Sequence, residues 1–493
     1  MRGAALYVAM PYMTAPNGRP FLGPLGGRSV TTPSPALAAL SGAPLGRTHR
    51  KVLLVISAMF LFDLADLNTF AFAAPAIRAT QRFSVQDVAL VTALSFAGMA
   101  VGAVTGGRAA DLLGRRLGMS AAVAVFSAAS LLNAVVATPG AMATARALTG
   151  FGLGAMTAVA ISYLSEVTPA THRGRFQAVA LGVGLVGIPL VAFTARAITV
   201  SHPASWRWLF VAGALGFLLL PLVLRLPESP RWLLSRGRTT EAGAAVRRFV
   251  PDFRGDGQEQ PAEALPAAAP KARFRDLFAP GQRRNSVVMM VVWVFALTGF
   301  YGFQSWVPTL LADRGQDFAQ SMTMSAITTI GAVPGAFLAA PFIDRFSRKH
   351  LSVALGLIVA AVGIAYGLST STVAVMVFGV LVAALSQSYI AVLYSSTPEY
   401  FPTALRTAGS GLGNGAGRAA NIVAPLVIAA VYTTPQLGYV GVFVFVAGAW
   451  LITALTVAFF GIDTRDRPLE DLHGRAAHGD PVRHDAPRPA ATR

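Results

Sequence analysis

Two aspartates three residues apart, Asp63 and Asp66, interrupt the apolar run FLFDLADLNTFAFAAPA between Phe60 and Ala76. Residues at that spacing share a helix face. Neighbouring carboxylates in a low-dielectric setting are suited to take a proton on one side of a barrier and release it on the other. Only two other charges fall well inside apolar stretches, Arg146 and Arg418. A charge at the centre of a bilayer costs about 2.5 to 3.5 kcal/mol, so each one needs a partner or a task. Counted along a helix, Asp66 stands roughly 22 Å from one boundary of its span, and Arg146 roughly 21 Å from the same boundary of another. Equal depth lets the two pair and offset each other's insertion cost. The alternative to proton coupling is an ion pair that only fixes the first span to the fourth.

Arg418 lies roughly 17 Å into a later span, close to its midplane. Asn414 and Asn421 share its face, making a polar stripe in GNGAGRAANIVAP. A guanidinium stays charged in a protein, and the second half of the chain has no carboxylate in its apolar core, so Arg418 is poised for an anionic guest. The competing reading is an arginine bonded to helix-end carbonyls or to an aspartate of the first span. Tyr301, Gln304 and Gln387 are further mid-span polar groups, able to line the same cavity or to bond between helices.

The elements that must position these residues are membrane spans. The 493-residue chain is 54% hydrophobic and only 13% charged, with a mean hydropathy of +0.57. That leaves room for twelve crossings and no soluble catalytic domain, so an enzyme is not expected. The spans read as 51–77, 87–107, 118–137, 140–165, 176–199, 206–226, 286–311, 322–343, 351–368, 373–396, 407–432 and 438–461. Residues 1–50 read as a Pro/Gly-rich tail rather than a cleaved signal, 227–285 as a linker beginning with an amphipathic surface helix, and 462–493 as a second tail. With both tails on one side, that side holds 33 of the 40 Lys and Arg. This bias places both termini in the cytoplasm and assigns the net charge of +18 to membrane topology rather than to nucleic acid. There are no cysteines, and the span map leaves all seven histidines in loops or tails, so neither a metal site nor a histidine relay is expected within the membrane.

A constant offset of 233 residues relates Asp111 to Asp344, Arg115 to Arg348, Glu166 to Glu399, Pro169 to Pro402 and Arg173 to Arg406. It carries the second span onto the eighth and the fourth onto the tenth. The chain is therefore two parallel repeats of six helices, 51–226 and 286–461, an arrangement that puts a substrate site between the halves. GVGLVG, Gly182 to Gly187, has the spacing of a nucleotide loop, but it lies inside an apolar span and reads as close helix packing. Arg196, near a span end, reads as snorkelling to the interface.

GGRAADLLGRR resembles the loop signature of the major facilitator superfamily, and RALTGFGLGA its fourth-span motif. PESPRWL and SEVTPATHRGR are similar to the sugar-porter and organic-ion-transporter branch. FDLADLNTFAFAAP resembles the first helix of aromatic-acid:proton symporters, in which two aspartates three apart precede a proline, here Pro75; Leu64 and Ala65 depart from the Gly and aromatic residue of that pattern. The resemblance implies an all-α integral membrane protein with the major facilitator fold, its halves alternating access to a central site. It implies proton coupling through Asp63, Asp66 and Arg146. It also implies an ion-pair latch of Asp111, Arg115, Glu166, Arg173, Glu228, Asp344, Arg348, Glu399 and Arg406 that holds the halves together when the carrier opens outward. A basic residue at the position of Arg418 accompanies anion transport in the carriers it resembles.

The expected function is proton-coupled uptake of a small organic anion, such as an aromatic or heterocyclic carboxylate, across the inner membrane. The expected unit is a monomer with no cofactor, driven by the proton gradient. A sugar:proton symporter, a proton-antiport efflux carrier and a non-transporting membrane sensor are the alternatives.

Overall fold

The structure, a computed structural model, describes residues 35–253, 274–314, 317–343, 345–402 and 404–463. Its described residues hold twelve helices long and apolar enough to cross a membrane. In the first half these are α1 (Arg47–Gln81), α2 (Val85–Leu113), α3 (Arg115–Val135), α4 (Pro139–Val167), α5 (Ala170–Thr199) and α6 (Ala204–Leu224). In the second they are α7 (Arg283–Ala312), α8 (Phe318–Leu338), α9 (Arg348–Leu368), α10 (Thr372–Tyr400), α11 (Arg406–Thr433) and α12 (Gly438–Phe460). Hydrocarbon offers no hydrogen bonds, so a spanning segment must bond its own backbone, and the helix does so within one segment. Twelve crossings return the chain to its starting side. The start of α1 and the end of α12 therefore share one end of the bundle, called here the terminal end.

The repeat extends into packing. In the first half Gly98 and Gly102 of α2 lie against the backbone of Ala147 and Phe151 in α4; in the second, Gly331 and Gly335 lie against Val380 and Ala384 of α10. All four relations keep the 233 offset, as do Pro75 inside α1 and Pro308 inside α7. A side chain at any of the four glycines would strike backbone, so the close approach of α2 to α4 and of α8 to α10 depends on them. Each half has its own apolar core, that of the second half also taking in Val85 and Ala89 of α2. The halves meet where α2 packs on α11, α5 on α8 and α1 on α7. A third cluster joins Phe70 and Phe72 of α1 to Met322 and Ala326 of α8, towards the end opposite the termini.

The terminal end differs from the sequence reading in three ways. Residues 35–50 are not simply a tail: Pro35–Ser41 is helical and packs on the linker, and α1 begins at Arg47. The linker opens with two short helices rather than one, Pro230–Ser235 and Thr239–Phe249, divided where Gly237 takes φ +70. It is docked rather than simply solvated, because the Trp232 indole Nε1 and Arg236 Nη2 both donate to the Asp111 carbonyl, at 2.9 and 2.7 Å. Finally, His49, His172 and His350 stand in the first turns of α1, α5 and α9 rather than in loops. His49 is buried there, its ring 5.0 Å from that of Phe249.

Candidate functional site

Asp66 and Arg146 meet at the heart of the first half. Arg146 Nη1 donates to Asp66 Oδ2 at 3.0 Å, and each side chain is 1% exposed. The remaining valences are filled as well. Ser130 Oγ donates to Asp66 Oδ1 at 2.7 Å, Arg146 Nη2 donates to the Asp66 carbonyl at 3.2 Å, and Arg146 Nε reaches Ser95 Oγ at 3.4 Å. Helices α1, α2, α3 and α4 each contribute one member, so the charges are compensated and four helices are tied together.

Asp63, one turn earlier on α1, is bound differently. Its Oδ2 accepts from Thr157 Oγ1 of α4 at 2.9 Å, while Oδ1 is buried without a partner. The two aspartates, neighbours on one helix face, are therefore unlike: Asp66 is saturated and Asp63 is half satisfied.

Arg418 approaches from α11. Its Nε donates to Asn414 Oδ1 at 2.8 Å, and Asn414 Nδ2 donates to the Tyr394 hydroxyl at 2.8 Å, so the head is braced through α10. Asn421, on the same face, is 1% exposed, and neither its Oδ1 nor its Nδ2 has a partner. Gln387 Oε1 of α10 is likewise buried and unpartnered. Buried amides without partners are uncommon and mark places where a ligand or water completes the bonding. Tyr301 of α7 stacks edge-on against Phe96 of α2 across the halves, with centroids 5.1 Å apart, giving the region an aromatic wall. Gln304 lines a small pocket together with Phe72, Ser325, Thr328 and Ser386.

At the terminal end Arg115 bonds both Glu166 and Asp111, at 3.1 and 2.5 Å. Glu228 accepts from the backbone N–H groups of Arg115, Arg116 and Ser229, which seats the linker on the turn between α2 and α3. In the second half Arg348 pairs with Glu399, the repeat of Arg115 with Glu166. These pairs lie within a half, whereas the latch expected from the resemblance joins the halves in an outward-open carrier. Arg173 donates to the Thr168 carbonyl at 3.2 Å and so braces its own loop. Arg406 opens α11 beside the turn that carries Glu399. Asp344 lies outside the described residues.

At the opposite end polar ties join the two halves. Arg78 Nη1, near the end of α1, is 2.6 Å from both oxygens of Asp313 after α7, and the Tyr432 hydroxyl of α11 donates to Asp313 Oδ2 at 3.0 Å. Arg196 does more than snorkel: its Nε donates to Thr323 Oγ1 of α8 at 2.7 Å. Gly184 and Gly187 of the GVGLVG stretch press α5 onto Phe60, Leu61 and Ala65 of α1.

The sequence reading missed Ser95, Ser130, Thr157, Arg78, Asp313 and Tyr432. Thr157 carried a signal, since it follows Arg146 by about three helical turns and so shares its face. Arg78 and Asp313 carried one too, as opposite charges at the ends of repeat-related spans. Ser95 and Ser130 resemble any other serine of an apolar helix. Among the described residues no cluster of side chains could hold a metal ion.

The model of the family described as "Sugar (and other) transporter" matches residues 52–475. The chain is 34% identical over 440 residues to the putative metabolite transport protein YyaJ of Bacillus subtilis, across 88% of this chain and 97% of that protein. It is 27% identical over 443 residues to the niacin transporter NiaP of Acinetobacter baylyi, across 88% and 99%. Among solved structures, the xylose transporter XylE of E. coli, in a partially occluded inward open conformation, matches with a TM-score of 0.69 at 18% identity, over 86% of this chain and all of that one. At that identity the likeness establishes the fold.

Proposed function

The chain belongs to the sugar (and other) transporter family of the major facilitator superfamily, and from that premise we propose that it is a proton-coupled symporter for a small organic anion. It is a multi-pass membrane transporter rather than an enzyme, and it moves a small molecule. In this reading both termini face the cytoplasm, a single chain suffices, and the proton gradient supplies the energy. Alternating access brings the central site first to one side and then to the other.

One observation carries the anion reading. Arg418 is a mid-span guanidinium braced by Asn414, with the unpartnered buried Asn421 on its face and no ion pair to neutralise it among the described residues. A carboxylate supplies the missing counter-charge and accepts the planar fork of donors, and the aromatic wall of Tyr301 and Phe96 suits a ring behind that carboxylate. The niacin transporter NiaP, named for a heterocyclic carboxylate, supports the same class. Asp63, Asp66 and Arg146 form the proton-coupling assembly. In this reading Arg115 with Glu166, and Arg348 with Glu399, each paired within its own half here, belong to the cytoplasmic gate together with Asp111, Arg173, Glu228, Asp344 and Arg406.

A second reading, a neutral polyol with a proton, draws on the unpartnered amides Asn421 and Gln387, which would serve sugar hydroxyls equally well. The two readings part on ligand charge. Purified protein is titrated calorimetrically with nicotinate, nicotinamide, 4-hydroxybenzoate, gallate and xylose, and uptake into proteoliposomes is measured with and without an inward proton gradient. The expected result is binding of an acid well above its amide, lost in Arg418→Ala, with uptake accelerated by the gradient. Equal binding of nicotinate and nicotinamide, or binding of xylose alone, overturns the anion reading.

A further inference from the structure

Four hydroxyl-bearing residues line the small pocket beside Gln304, and each has already spent its proton. Ser325, Thr328 and Thr329 of α8 and Ser386 of α10 donate to the carbonyls of Ser321, Met324, Ala326 and Ala383 in their own helices, at 2.8, 3.0, 2.6 and 3.2 Å. A hydroxyl has one proton and two lone pairs, so only acceptor capacity is left on these four oxygens. All four residues are buried, none more than 5% exposed. Gln304 of α7 is the one amide among the described residues of the lining, and its side chain brings N–H donors to the same place. Phe300 and Phe303 of α7 and Phe72 of α1 make the rest of the wall apolar, so Phe72 closes the pocket from the first half. The space admits little more than one water-sized group, which excludes a ring and suits a single substituent. The pocket adjoins the aromatic wall. Phe300 stands edge-on to Tyr301 with centroids 5.0 Å apart, and Tyr301 stands edge-on to Phe96. Gln304 follows Tyr301 by three residues, roughly 4.5 Å of helix rise, a step close to the length of a benzene ring with its substituent.

Resting on the anion reading above, we propose that this pocket is a specificity site for a ring hydroxyl, and that the substrate is a hydroxylated aromatic acid rather than a heterocyclic one. A phenolic O–H donates to one of the spent hydroxyls, and its oxygen accepts from the Gln304 amide. A hydroxyl is the group that uses both sides of the pocket, since it donates and accepts at once. The nitrogen of a pyridine ring only accepts. Opposite the four oxygens it sets lone pair against lone pair, unless one hydroxyl gives up its helix carbonyl. A fluorine of similar size has no proton to give and leaves the pocket as it was. A site that bonds a substrate hydroxyl discriminates against the analogue lacking it, because its own polar groups are then left unanswered. Arg418 reads the charge of the substrate, the aromatic wall reads its ring, and the pocket reads the hydroxyl on that ring.

The test compares acids that differ in one substituent. Benzoate, its hydroxy isomers, the matching fluoro isomers and nicotinate are titrated calorimetrically into purified wild type. One hydroxybenzoate should bind about tenfold tighter than both benzoate and its fluoro counterpart, the worth of one net hydrogen bond, and nicotinate should bind no tighter than benzoate. Competition for uptake into proteoliposomes should follow the same order. Thr328→Val with Ser386→Ala removes two of the acceptors, and the ratio of hydroxy to fluoro affinity should fall towards one. A role in packing alone would weaken both acids alike and leave that ratio where it was. Thr328→Ser with Ser386→Thr keeps both hydroxyls and should keep the ratio. Ser386→Ala by itself, the mildest change, gives the same reading at smaller size should the double variant not fold. Hydroxy acids that bind no tighter than their fluoro partners, or nicotinate as the tightest ligand, overturn this inference while leaving the anion reading intact. A hydroxy preference that survives in both Ser386→Ala and the double variant overturns the assignment of the pocket. Failure of every acid to bind refutes the anion reading, and this inference with it.

Discussion

The two halves share a backbone and differ in charge. The 233 offset keeps the helix-packing glycines and the terminal-end pairs, so that Gly98, Gly102 and Arg115–Glu166 reappear as Gly331, Gly335 and Arg348–Glu399. At the core the correspondence ends. The positions matching Asp63, Asp66 and Arg146 hold Ala296, Gly299 and Gly379, and the position matching Arg418 holds Leu185, which packs in an apolar cluster with Ala332. Repetition therefore preserves the packing and the ion pairs within each half, while the mid-span charges differ between the halves. The first half holds a neutralised pair and a half-satisfied carboxylate. The second half holds a braced cation. Under the proposed function, a site between the halves receives an anion from one direction and a proton group from the other.

The largest effect expected from breaking this contrast is at Arg146. Arg146→Ala leaves Asp66 ionised and buried, with only Ser130 to answer it, and loss of one member of a buried pair costs about 3–5 kcal/mol. Gly379→Arg, the same charge placed at the matching position of the second half, has no acid opposite it, because Gly299 stands where Asp66 would. Thermal unfolding in detergent should show a large drop for both, whereas Asp66→Asn with Arg146→Gln should recover most of the loss. Equal stability of Arg146→Ala and wild type would mean that the pair does not tie the four helices together.

The next effect tests the shared scaffold instead of the difference. Valine at Gly102 or at Gly335 places a branched side chain against the backbone of Phe151 or Ala384. Overpacking of this kind costs about 1–3 kcal/mol. The two losses should match within experimental error, since the contacts repeat, and the double variant should be close to additive because the sites lie in different halves. A large inequality would show that one half tolerates separation of its helices better, and would weaken the view of the repeat as a repeat in packing.

Much of this was legible in the sequence. Twelve spans follow from hydropathy because lipid leaves the backbone no alternative to the helix, and the two repeats follow from five charged and proline positions at one offset. Pairing of Asp66 with Arg146 was suggested by their equal depth, since a mid-membrane charge has few places to find its opposite. Other features were out of reach. The unequal satisfaction of Asp63 and Asp66 depends on Thr157 and Ser130, whose hydroxyls give no signal in an apolar helix. Docking of residues 35–50 on the linker depends on Thr48, His49 and Phe249, residues nearly 200 apart whose types are ordinary at a polar surface. Depth is read from residue counts; rotation about the helix is not, once a span is apolar on all sides.

The smallest expected effect is also the one that asks whether the halves move as units. Arg78 and Asp313 join α1 to the end of α7, but their side chains are 21% and 25% exposed. A pair that wet contributes about 0.2–1 kcal/mol, and salt screens it. Stability should hardly change in Arg78→Ala. Populations are more sensitive, because 1 kcal/mol is about a fivefold change in a two-state ratio, and this tie exists only while the end opposite the termini is closed. The chain has no cysteine, so spin labels at two introduced thiols, one on each half near that end, report the distance without background. Arg78→Ala should shift the distribution towards longer distances, high salt should do the same to wild type, and Arg78→Asp with Asp313→Arg should restore the short distance. Tyr432 sharpens the reading, since its hydroxyl also donates to Asp313 and Tyr432→Phe should give a smaller shift in the same direction. An unchanged distribution in Arg78→Ala at low salt would assign the closure to the apolar contact of Phe70 and Phe72 with Met322 and Ala326, leaving the charges as passengers on it.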